Sequence, residues 1–288
     1  MTSQVMDAPY KDRHSRAMSP RPFHTLSPAT HAGQHLRQLR RQAGLSQLGL
    51  SLACGISQRH LSCIETGRAK AGPGTLHALL SALDVPLEQC NEVFLAAGYA
   101  PRYQATALDT PSLAMVRDAI EHLLRAQNPA PAIALDSDWN IIAANTAANL
   151  LLTMAGAPVA ARGLNLLETL LCSGGLGDRL VNAAQIRAIT WQRANREALG
   201  NPALARRLQD LPRPESVPED ADASPLILTR IGTADAELRF LSTFTTFGMP
   251  LDISVASLRI EHLIPADEHT WAVMRSAFVD NPGVDPDQ

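Results

Sequence analysis

Apolar residues recur at helical spacing on both sides of a glycine between residues 46 and 65. Ser46 and Ser57 each precede one of these apolar runs, where a side-chain oxygen can cap the first turn of a helix. Gly55 suits the tight turn between the runs, because it has no Cβ to clash at positive φ. The pattern predicts two short helices, the first burying Leu48 and Leu52 and the second burying Leu61 and Ile64.

The outer side of the second predicted helix is polar. Gln58, Arg59 and Ser62 lie on it and can hydrogen-bond to base edges in a DNA major groove. Gln47 opens the first helix, and we expect it near a phosphate or the outermost base. An ordinary helical hairpin that binds nothing is the alternative. The combined spacing of caps, turn glycine and polar face favours DNA readout.

This segment resembles the helix-turn-helix of the phage repressor/Cro class, also called the Xre family. The shared residues are Gln47, the small residue Ser51 four positions later, the turn glycine Gly55, and Glu65 with Gly67 after the second helix. The family usually has Ala where this chain has Ser51. The resemblance implies a five-helix DNA-binding domain. Such a protein is expected to act as a homodimer, because one domain contacts only half of a binding site.

Charge is divided unevenly along the chain, although the total is −3. Residues 1–83 hold ten Lys and Arg against three Asp and Glu, whereas residues 84–288 hold fifteen against twenty-five. A basic head and an acidic body fit a nucleic-acid-binding domain joined to a domain that DNA repels. The predicted phosphate contacts are Arg40, Arg41, Ser57, Arg68 and Lys70. The alternative for Arg40 and Arg41 is a solvated helix face.

The second half of the chain mixes short apolar strands with amphipathic helices. Residues 131–145 predict a two-strand hairpin, and several helices follow it. From residue 226 onward the chain is rich in β-branched and aromatic residues, with turns at Gly232 and Gly248. We interpret this part as a three-strand antiparallel meander, with residues 251–264 as its last strand, followed by a helix. The pattern predicts an α+β domain.

This half resembles the MmyB-like ligand-binding domain that follows such helix-turn-helix units in bacterial regulators. The resemblance is carried by residues 131–145, 181–186 and 201–204 and, most specifically, by 238–270. The loop 172–182 departs from the family pattern. The resemblance implies a PAS-like fold, in which a five-strand antiparallel sheet flanked by helices encloses an apolar cavity. It also implies a long-chain, fatty-acid-like ligand.

The expected fold class is therefore a two-domain chain, with an all-α five-helix phage-repressor-like DNA-binding domain followed by an α+β PAS-like domain. The predicted divisions are a disordered arm (1–30), the helix-turn-helix domain (31–100), a linker and connecting helix (101–127), the ligand-binding domain (128–280) and a tail (281–288). Residues 212–225 are acidic and proline-rich, which is typical of an exposed loop.

Apolar residues of the predicted meander are candidates for the cavity wall: Phe244, Phe247, Leu258 and Ile260. Each of them could instead fill an ordinary core. Arg239, Arg259 and His262 lie among the apolar strand residues and are candidates to hold a carboxylate head group. The alternative places them on the solvent face or in pairs with Glu237 and Glu261.

Motifs for nucleotide binding, for a serine nucleophile and for a zinc protease do not occur, so we predict no enzyme activity. A surface helix face explains the spacing of His31 and His35, and we predict no metal site. The four cysteines show no C-x-x-C pairing, which indicates free thiols in a reduced cytoplasmic protein. Apolar runs stay well short of the roughly 18 residues that span a bilayer, so we expect no membrane partner.

These observations predict a transcription regulator of the bacterial cytoplasm and nucleoid. The expected partners are double-stranded DNA, a second copy of the chain and a small apolar ligand, with no cofactor other than a bound fatty-acid-like molecule. The main alternative is a DNA-binding protein whose second domain only dimerises or docks onto a protein partner. A third possibility, an enzyme domain fused to a DNA-binding head, is disfavoured by the missing motifs.

Overall fold

A computed structural model describes residues 28–157, 161–215 and 226–281. The predicted arm lies outside the described residues as far as position 27, and most of the acidic loop and of the tail lies outside them as well. The described part of the chain forms an all-helical first domain and a second domain built on a five-strand antiparallel sheet, which confirms the predicted two-domain layout.

The first domain consists of helices around a small apolar core. Their bounds are α1 (Pro28–Gln42), α2 (Gln47–Ala53), α3 (Gln58–Glu65), α4 (Pro73–Ala82) and α5 (Leu87–Ala96). Leu36, Leu50, Leu61 and Leu79 have no exposed surface and form the centre of this core, and Phe94 packs beside them. The core holds the second and third helices at a fixed angle, so the face that α3 turns outward is set by packing.

Caps and a glycine turn define α2 and α3 as the sequence predicted. The Ser46 side chain accepts a hydrogen bond from the backbone N–H of Gly49 (2.9 Å), and the Ser57 side chain accepts one from His60 (3.1 Å). Gly55 has φ of +65°, a left-handed conformation that costs glycine little. All three local predictions are confirmed because each depends on residues within four positions of one another.

The predicted inner face of α2 is wrong. Leu48 is 53 % exposed and Leu52 is 73 % exposed, whereas Leu50 and Ser51 are buried. Residues two positions apart lie about 200° apart on a helix, so leucines at 48, 50 and 52 fall on both sides of α2. The apolar pattern of this short helix therefore leaves its buried side undefined, and packing of Leu50 against the rest of the core decides it.

A linker and a further helix lead into the second domain. After a 3-10 turn at Pro111–Leu113, α6 (Ala114–Gln127) packs against the sheet. The contacts join Ile120 and Leu124 of α6 to apolar residues of the strands. This helix therefore belongs to the core of the second domain, although we predicted it as part of the connection.

The second domain contains a single antiparallel sheet within the described residues, in the strand order β2-β1-β5-β4-β3. Its strands are β1 (Ala132–Leu135), β2 (Ile141–Ala144), β3 (Thr229–Gly232), β4 (Glu237–Thr246) and β5 (Arg259–Pro265). Its further helices are α7 (Thr146–Met154), α8 (Leu166–Leu171), α9 (Ala183–Ala198), α10 (Pro202–Asp210), α11 (Ile253–Ser257) and α12 (Glu268–Asp280).

The predicted last strand over residues 251–264 is wrong in its first half, where the chain forms α11 before β5 begins. Asp252 caps α11, because its side chain accepts hydrogen bonds from the backbone N–H groups of Ser254 (2.8 Å) and Val255 (3.3 Å). The β-branched residues here favour a strand, but the acidic cap and tertiary contacts override that weak preference.

Strand alternation gives the sheet two different faces. Alternate residues such as Leu258 and Ile260 point toward α6, together with the alanines of β1. The residues at the other alternate positions of β5, such as Glu261 and Leu263, point toward α7, α8 and α9. The first face is packed against a helix, whereas the second face and its helices enclose a cavity.

Candidate DNA interface and ligand cavity

The outward face of α3 presents the residues predicted to read DNA. Gln58 and Arg59 are exposed near the start of the helix, and Ser62 is half-buried one turn later. Leu61 and Ile64 hold the opposite side of α3 in the core. His60, which we did not predict as a contact, is exposed beside Arg59. The helix therefore presents a short polar surface on a rigid support, with the geometry that a recognition helix requires.

Behind this surface, Arg40 of α1 forms a buried ion pair with Glu65 at the end of α3. Its Nε and Nη2 donate to the two carboxylate oxygens of Glu65 at 2.6 and 2.9 Å, and its Nη1 donates to the carbonyl of Leu45 at 2.7 Å. Gln47 donates to Oε2 of Glu65 at 2.8 Å. The side chains of Arg40 and Glu65 are only 8 % and 1 % exposed.

This network shows that the predicted phosphate contact of Arg40 is wrong and that the Gln47 amide is partly engaged within the protein. The Arg40 guanidinium is enclosed and its donors are used inside the protein, so it ties α1 to α3 and does not face a phosphate. Enclosure favours the neutral form of Glu65, but hydrogen bonds from Arg40 and Gln47 hold the pKa of Glu65 below its ordinary value. Gln47 also loses one amide donor to this network.

The other predicted phosphate contacts lie on the surface of the first domain. Arg41, Ser57, Arg68 and Lys70 are all exposed. Arg68 donates from Nε to the Thr66 hydroxyl at 3.1 Å, and the ammonium of Lys70 lies 4.4 Å from the ring centroid of Tyr99. These weak local contacts orient the cations without burying them, which leaves them accessible to a polyanion.

A cavity of about 310 Å³ lies between the sheet and helices α7, α8 and α9. This volume falls at the lower end of the range of small-molecule sites, which is about 300–1,000 Å³. Its wall is mostly aliphatic and includes Ile133, Ile141, Leu151, Leu152, Leu170, Leu176, Ile231 and Leu263. The cavity opens to the surface beside Ile189 of α9 and Phe244 of β4, which are 38 % and 43 % exposed.

Among the wall and head-group residues predicted on the strands, only Phe244 lines this cavity, whereas Leu151 and Leu170 on the facing helices do line it. Phe247, Leu258 and Ile260 pack on the opposite face of the sheet with α6. The predicted residues of β5 were shifted by one position, and a one-residue shift along a strand exchanges the two faces. The sequence did not reveal this shift, because both faces of β5 are covered and carry apolar residues.

Two of the three predicted head-group residues, Arg239 and His262, lie away from the cavity. Arg239 is exposed and pairs with Glu237 at 2.9 Å, as the alternative reading expected. Hydrogen bonds from Arg230 and Arg239 lower the pKa of Glu237 to about 2. His262 is buried on the α6 side, where its Nε2 lies 2.9 Å from the Thr245 hydroxyl, and burial lowers the pKa of His262.

The polar residues that do lie at the cavity were not among those predicted from the sequence. Glu261 of β5 accepts a hydrogen bond from the Ser242 hydroxyl of β4 at 2.8 Å, and enclosure raises the pKa of Glu261. Arg193 of α9 lies across from them, with its guanidinium 3.8 Å from the ring centroid of Phe244. The available signal was the alternation of β5 itself: Glu261 is a neighbour of His262 and therefore faces the other way.

Glu197 of α9 links two arginines beside this polar end. Its Oε1 accepts from Arg193 Nε at 2.8 Å, and its Oε2 accepts from Arg259 Nη1 at 2.9 Å and from the indole N–H of Trp139 at 2.8 Å. Burial is the main cause that lowers the pKa of Arg259, whose guanidinium lies 4.3 Å from the Trp139 ring centroid. Within the described residues, Nε and Nη2 of Arg259 are buried without a hydrogen-bond partner.

The part of the chain that the structure describes contains no cluster of three or more His, Cys, Asp or Glu residues suited to a metal ion. Among the same residues, no helix combines the length and the apolar character that crossing a membrane requires. Cys54, Cys63, Cys90 and Cys172 are free thiols, and burial raises the pKa of Cys90 to about 11.

A helix-turn-helix head and a hollow α+β domain together define a helix-turn-helix transcription regulator with a ligand-binding domain. The chain belongs to the MmyB-like transcription regulators, because residues 116–277 match the profile of the MmyB-like transcription regulator ligand binding domain. Residues 31–93 match a helix-turn-helix domain. The two matches correspond to the two halves of the structure, and they confirm the families that the sequence resembled. The comparison with curated proteins gives no match.

Some solved structures are similar to parts of this chain. The restriction-modification controller protein C.AhdI from Aeromonas hydrophila is 29 % identical over 22 % of this chain and 94 % of its own, with a TM-score of 0.21. The clp gene regulator ClgR from C. glutamicum is 25 % identical over 25 % of this chain and 88 % of its own, with a TM-score of 0.22. An RNA-binding Light-Oxygen-Voltage receptor is 16 % identical over 88 % of this chain and 64 % of its own, with a TM-score of 0.26.

Proposed function

We propose that this regulator binds a specific DNA site as a homodimer in the cytoplasm and that a fatty-acid-like molecule in the cavity controls its DNA affinity. The observation that carries the proposal is the apolar cavity in a domain joined to a helix-turn-helix head. A cavity lined by aliphatic side chains is costly to keep empty, because its lining loses packing contacts. An alkyl chain restores those contacts and leaves water at the same time.

On the DNA side, the proposal assigns base contacts to Gln58, Arg59 and Ser62. Their support is exposure on one face of α3 and a rigid anchor beneath it. Arg41, Ser57, Arg68 and Lys70 are assigned to phosphates because they are exposed around the same helix. A homodimer follows from the size of the head, since a single recognition helix covers only a half-site.

A route for coupling leads through the linker between the two domains. Asp252, the cap of α11, accepts hydrogen bonds from the Thr106 hydroxyl (2.5 Å) and from the Thr106 backbone N–H (3.1 Å). The backbone N–H of Ile253 donates to the carbonyl of Gln104 at 2.8 Å. Because α11 connects the cavity strands β4 and β5, a shift of these strands would reach the linker directly. Binding then changes DNA affinity if the ligand prefers one arrangement of the heads.

The decisive experiment begins with purified full-length protein. Organic extracts are analysed by mass spectrometry, and a binding site is selected from random DNA. Saturated fatty acids of increasing length are then titrated into the delipidated protein, with operator affinity measured at saturation. We expect affinity to rise with length, since each buried CH₂ contributes about 0.8 kcal/mol. We also expect operator affinity to change on binding.

Two outcomes would remove the sensing mechanism. One is a flat dependence of affinity on chain length, and the other is ligand binding without any change in operator affinity. Either result would favour the alternative role, in which the second domain only dimerises the protein or docks it onto a partner. Light scattering with and without operator DNA measures the oligomeric state independently of the ligand.

A further inference from the structure

The turn between β1 and β2 connects the cavity wall to the first domain. Trp139 in this turn is 2 % exposed and lines the cavity. Its neighbour Asp138 accepts a hydrogen bond at 2.8 Å from the side chain of Asn201, the cap residue of α10. Gly200 lies so close to α5 that a Cβ on it would be 3.1 Å from Nε2 of Gln89. A wall residue of the cavity is therefore joined by a short chain of contacts to a helix of the DNA-binding domain.

Helix α5 is firmly attached to the rest of the first domain. Its residues Cys90, Val93 and Phe94 are buried in the core that also holds Leu61 and Ile64 of α3. The same helix contacts α1 and α4 and, in the second domain, α11. Because a packed core transmits displacement, a movement of α5 against the second domain would move the recognition helix with it.

Charges at this contact oppose it. The carboxyl group of Glu88 on α5 faces that of Asp138 across the boundary between the domains. Partial enclosure and the nearby carboxylates of Asp138 and Glu92 raise the pKa of Glu88. The contact therefore holds only as long as the packing at Gly200 outweighs the repulsion. An interface with such opposed terms is suited to release by a small change in either domain.

Trp139 is held in a strained conformation. Its φ is +66°, in the left-handed region that a bulky side chain rarely adopts. The indole N–H donates to Glu197 at 2.8 Å, and the guanidinium groups of Arg259 and Arg193 lie 4.3 and 5.3 Å from its ring centroid. Backbone strain persists where the surroundings enforce it, and it is common in switch regions. The contents of the cavity are part of those surroundings, since the ring borders on them.

We infer that the β1–β2 turn is a switch between the cavity and the first domain, in which Trp139 responds to the ligand and Asp138 and Gly200 face α5. This inference rests on the proposed function and deepens it, and it differs from the linker route because it acts on α5 directly. A ligand in the cavity supports the Trp139 ring and keeps the turn in the docked arrangement, with α5 against Gly200. Without ligand, the ring moves into the cavity, its backbone relaxes, and the repulsion between Glu88 and Asp138 releases α5.

Hydrogen exchange measures the release directly. Delipidated full-length protein is compared with and without saturating dodecanoic acid, a member of the fatty-acid series above. We expect the acid to slow exchange of the backbone amides in the β1–β2 turn and at the start of α5 by roughly 10-fold. The amides of α2, in the same domain, serve as the internal control and should exchange equally in both samples.

Two variants should fix the switch in its opposite positions. Glu88→Lys replaces the repulsion from Asp138 by attraction, so α5 stays docked. Gly200→Phe inserts a wedge against Gln89, so α5 stays released. Both variants should lose the ligand-dependent change in operator affinity. Glu88→Lys should show the affinity of the liganded wild type, and Gly200→Phe that of the ligand-free wild type.

Each of these variants has a matched control. Glu92→Lys makes the same charge change one turn further along α5, and it corrects for the effect of charge on DNA affinity. Gly248→Phe adds the same side chain at an exposed glycine that would have no neighbour within 4 Å of its Cβ. Both controls should keep the ligand-dependent change. Because binding free energies are reciprocal, Glu88→Lys should also bind dodecanoic acid at least as tightly as the wild type.

A substitution of Trp139 tests the residue that responds to the ligand. Trp139→Gly accepts a φ of +66° without strain, so the turn should stay docked with or without ligand. We expect this variant to lose the ligand-dependent protection of α5 while it still binds dodecanoic acid. A response equal to that of the wild type would show that Trp139 does not operate the switch.

Two further results would overturn the switch and leave ligand sensing intact. One is equal exchange in the turn and in α5 with and without bound acid. The other is a wild-type ligand response in both Glu88→Lys and Gly200→Phe, which would leave the linker as the route. A wild type that does not bind dodecanoic acid, or whose operator affinity does not change on binding, would instead reject the proposed function, so the two failures are distinguishable.

Discussion

The two domains use the same pair of residue types, arginine and glutamate, in opposite ways. In the first domain, Arg40 and Glu65 are enclosed behind α3 and share two hydrogen bonds at 2.6 and 2.9 Å. In the second domain, Arg193 and Arg259 share Glu197 at the border of a cavity. The first ion pair joins α1 to α3, whereas the second group of charges lies beside a cavity.

The largest expected effect tests the ion pair of Arg40 and Glu65. Glu65→Gln leaves the Arg40 cation buried without its counter-charge, and we expect a loss of about 3–5 kcal/mol in the free energy of unfolding. Urea denaturation of the full chain measures it. Glu168→Gln breaks the half-exposed pair with Arg207 and serves as the control, with an expected loss below about 1 kcal/mol. Equal losses of unfolding free energy in the two variants would show that burying the Arg40 cation adds no cost beyond that of an exposed ion pair.

The same ion pair predicts a pH dependence. The pKa of Glu65 is lower in the folded protein than in the unfolded chain, so its contribution to stability is fully present above the ordinary carboxyl range. As pH falls through the folded-state pKa, that contribution is lost. Glu65→Gln should therefore flatten the acid side of the stability profile, and an unchanged profile would contradict the assignment.

The second effect compares the core of the first domain with the cavity of the second by the same substitution. Ala32 of α1 and Ala148 of α7 are both buried helical alanines. Ala32→Phe adds a large side chain among buried core residues and should cost about 1–3 kcal/mol or more. Ala148→Phe projects into the cavity, so it should cost less in stability and abolish binding of dodecanoic acid. If the two variants lose equal stability, the cavity is not available to a side chain of this size.

The third effect concerns the outer surface of the first domain. Arg59→Ala should weaken binding to the selected DNA site by about 1–3 kcal/mol and binding to random DNA much less. Fluorescence anisotropy with both DNAs provides the comparison. Equal losses on the two DNAs would mean that Arg59 positions the head on the backbone and does not specify sequence.

The smallest effect separates exposed from buried arginines. Arg41→Ala should lower the magnitude of the slope of log K against log salt by about 0.9, as expected for one phosphate contact. Arg125→Ala on α6 is a matched surface control, paired with Glu121, and should leave the slope unchanged. A slope that Arg41→Ala does not alter would place Arg41 on a solvated face, away from DNA.

The accuracy of the sequence predictions depended on how local their cause was. Caps at Ser46 and Ser57, the turn at Gly55 and the hairpin from 131 to 145 follow from neighbouring residues, and all are confirmed. The capped helix α11 was missed because Asp252 was read as part of a strand. A local cap signal was present there, but the β-branched residues obscured it.

Predictions of which side of a helix or strand faces a given part of the protein were less accurate. The buried side of α2 was reversed because Leu48, Leu50 and Leu52 fall on both sides of a two-turn helix. The cavity side of β5 was reversed because α6 covers its other face with equally apolar contacts. In both places the periodicity is compatible with two orientations, and only tertiary packing distinguishes them.

The joint at the linker has a practical consequence for protein engineering. Asn91 of α5 accepts hydrogen bonds from the backbone N–H groups of Arg102 (2.8 Å) and Tyr103 (3.0 Å), whereas the next residue, Gln104, is bound by Ile253. The contacts of the linker therefore change from the first domain to the second between Tyr103 and Gln104. A chimera that exchanges DNA-binding domains should be joined between positions 103 and 104. One glycine inserted at that point should weaken the coupling between the two domains.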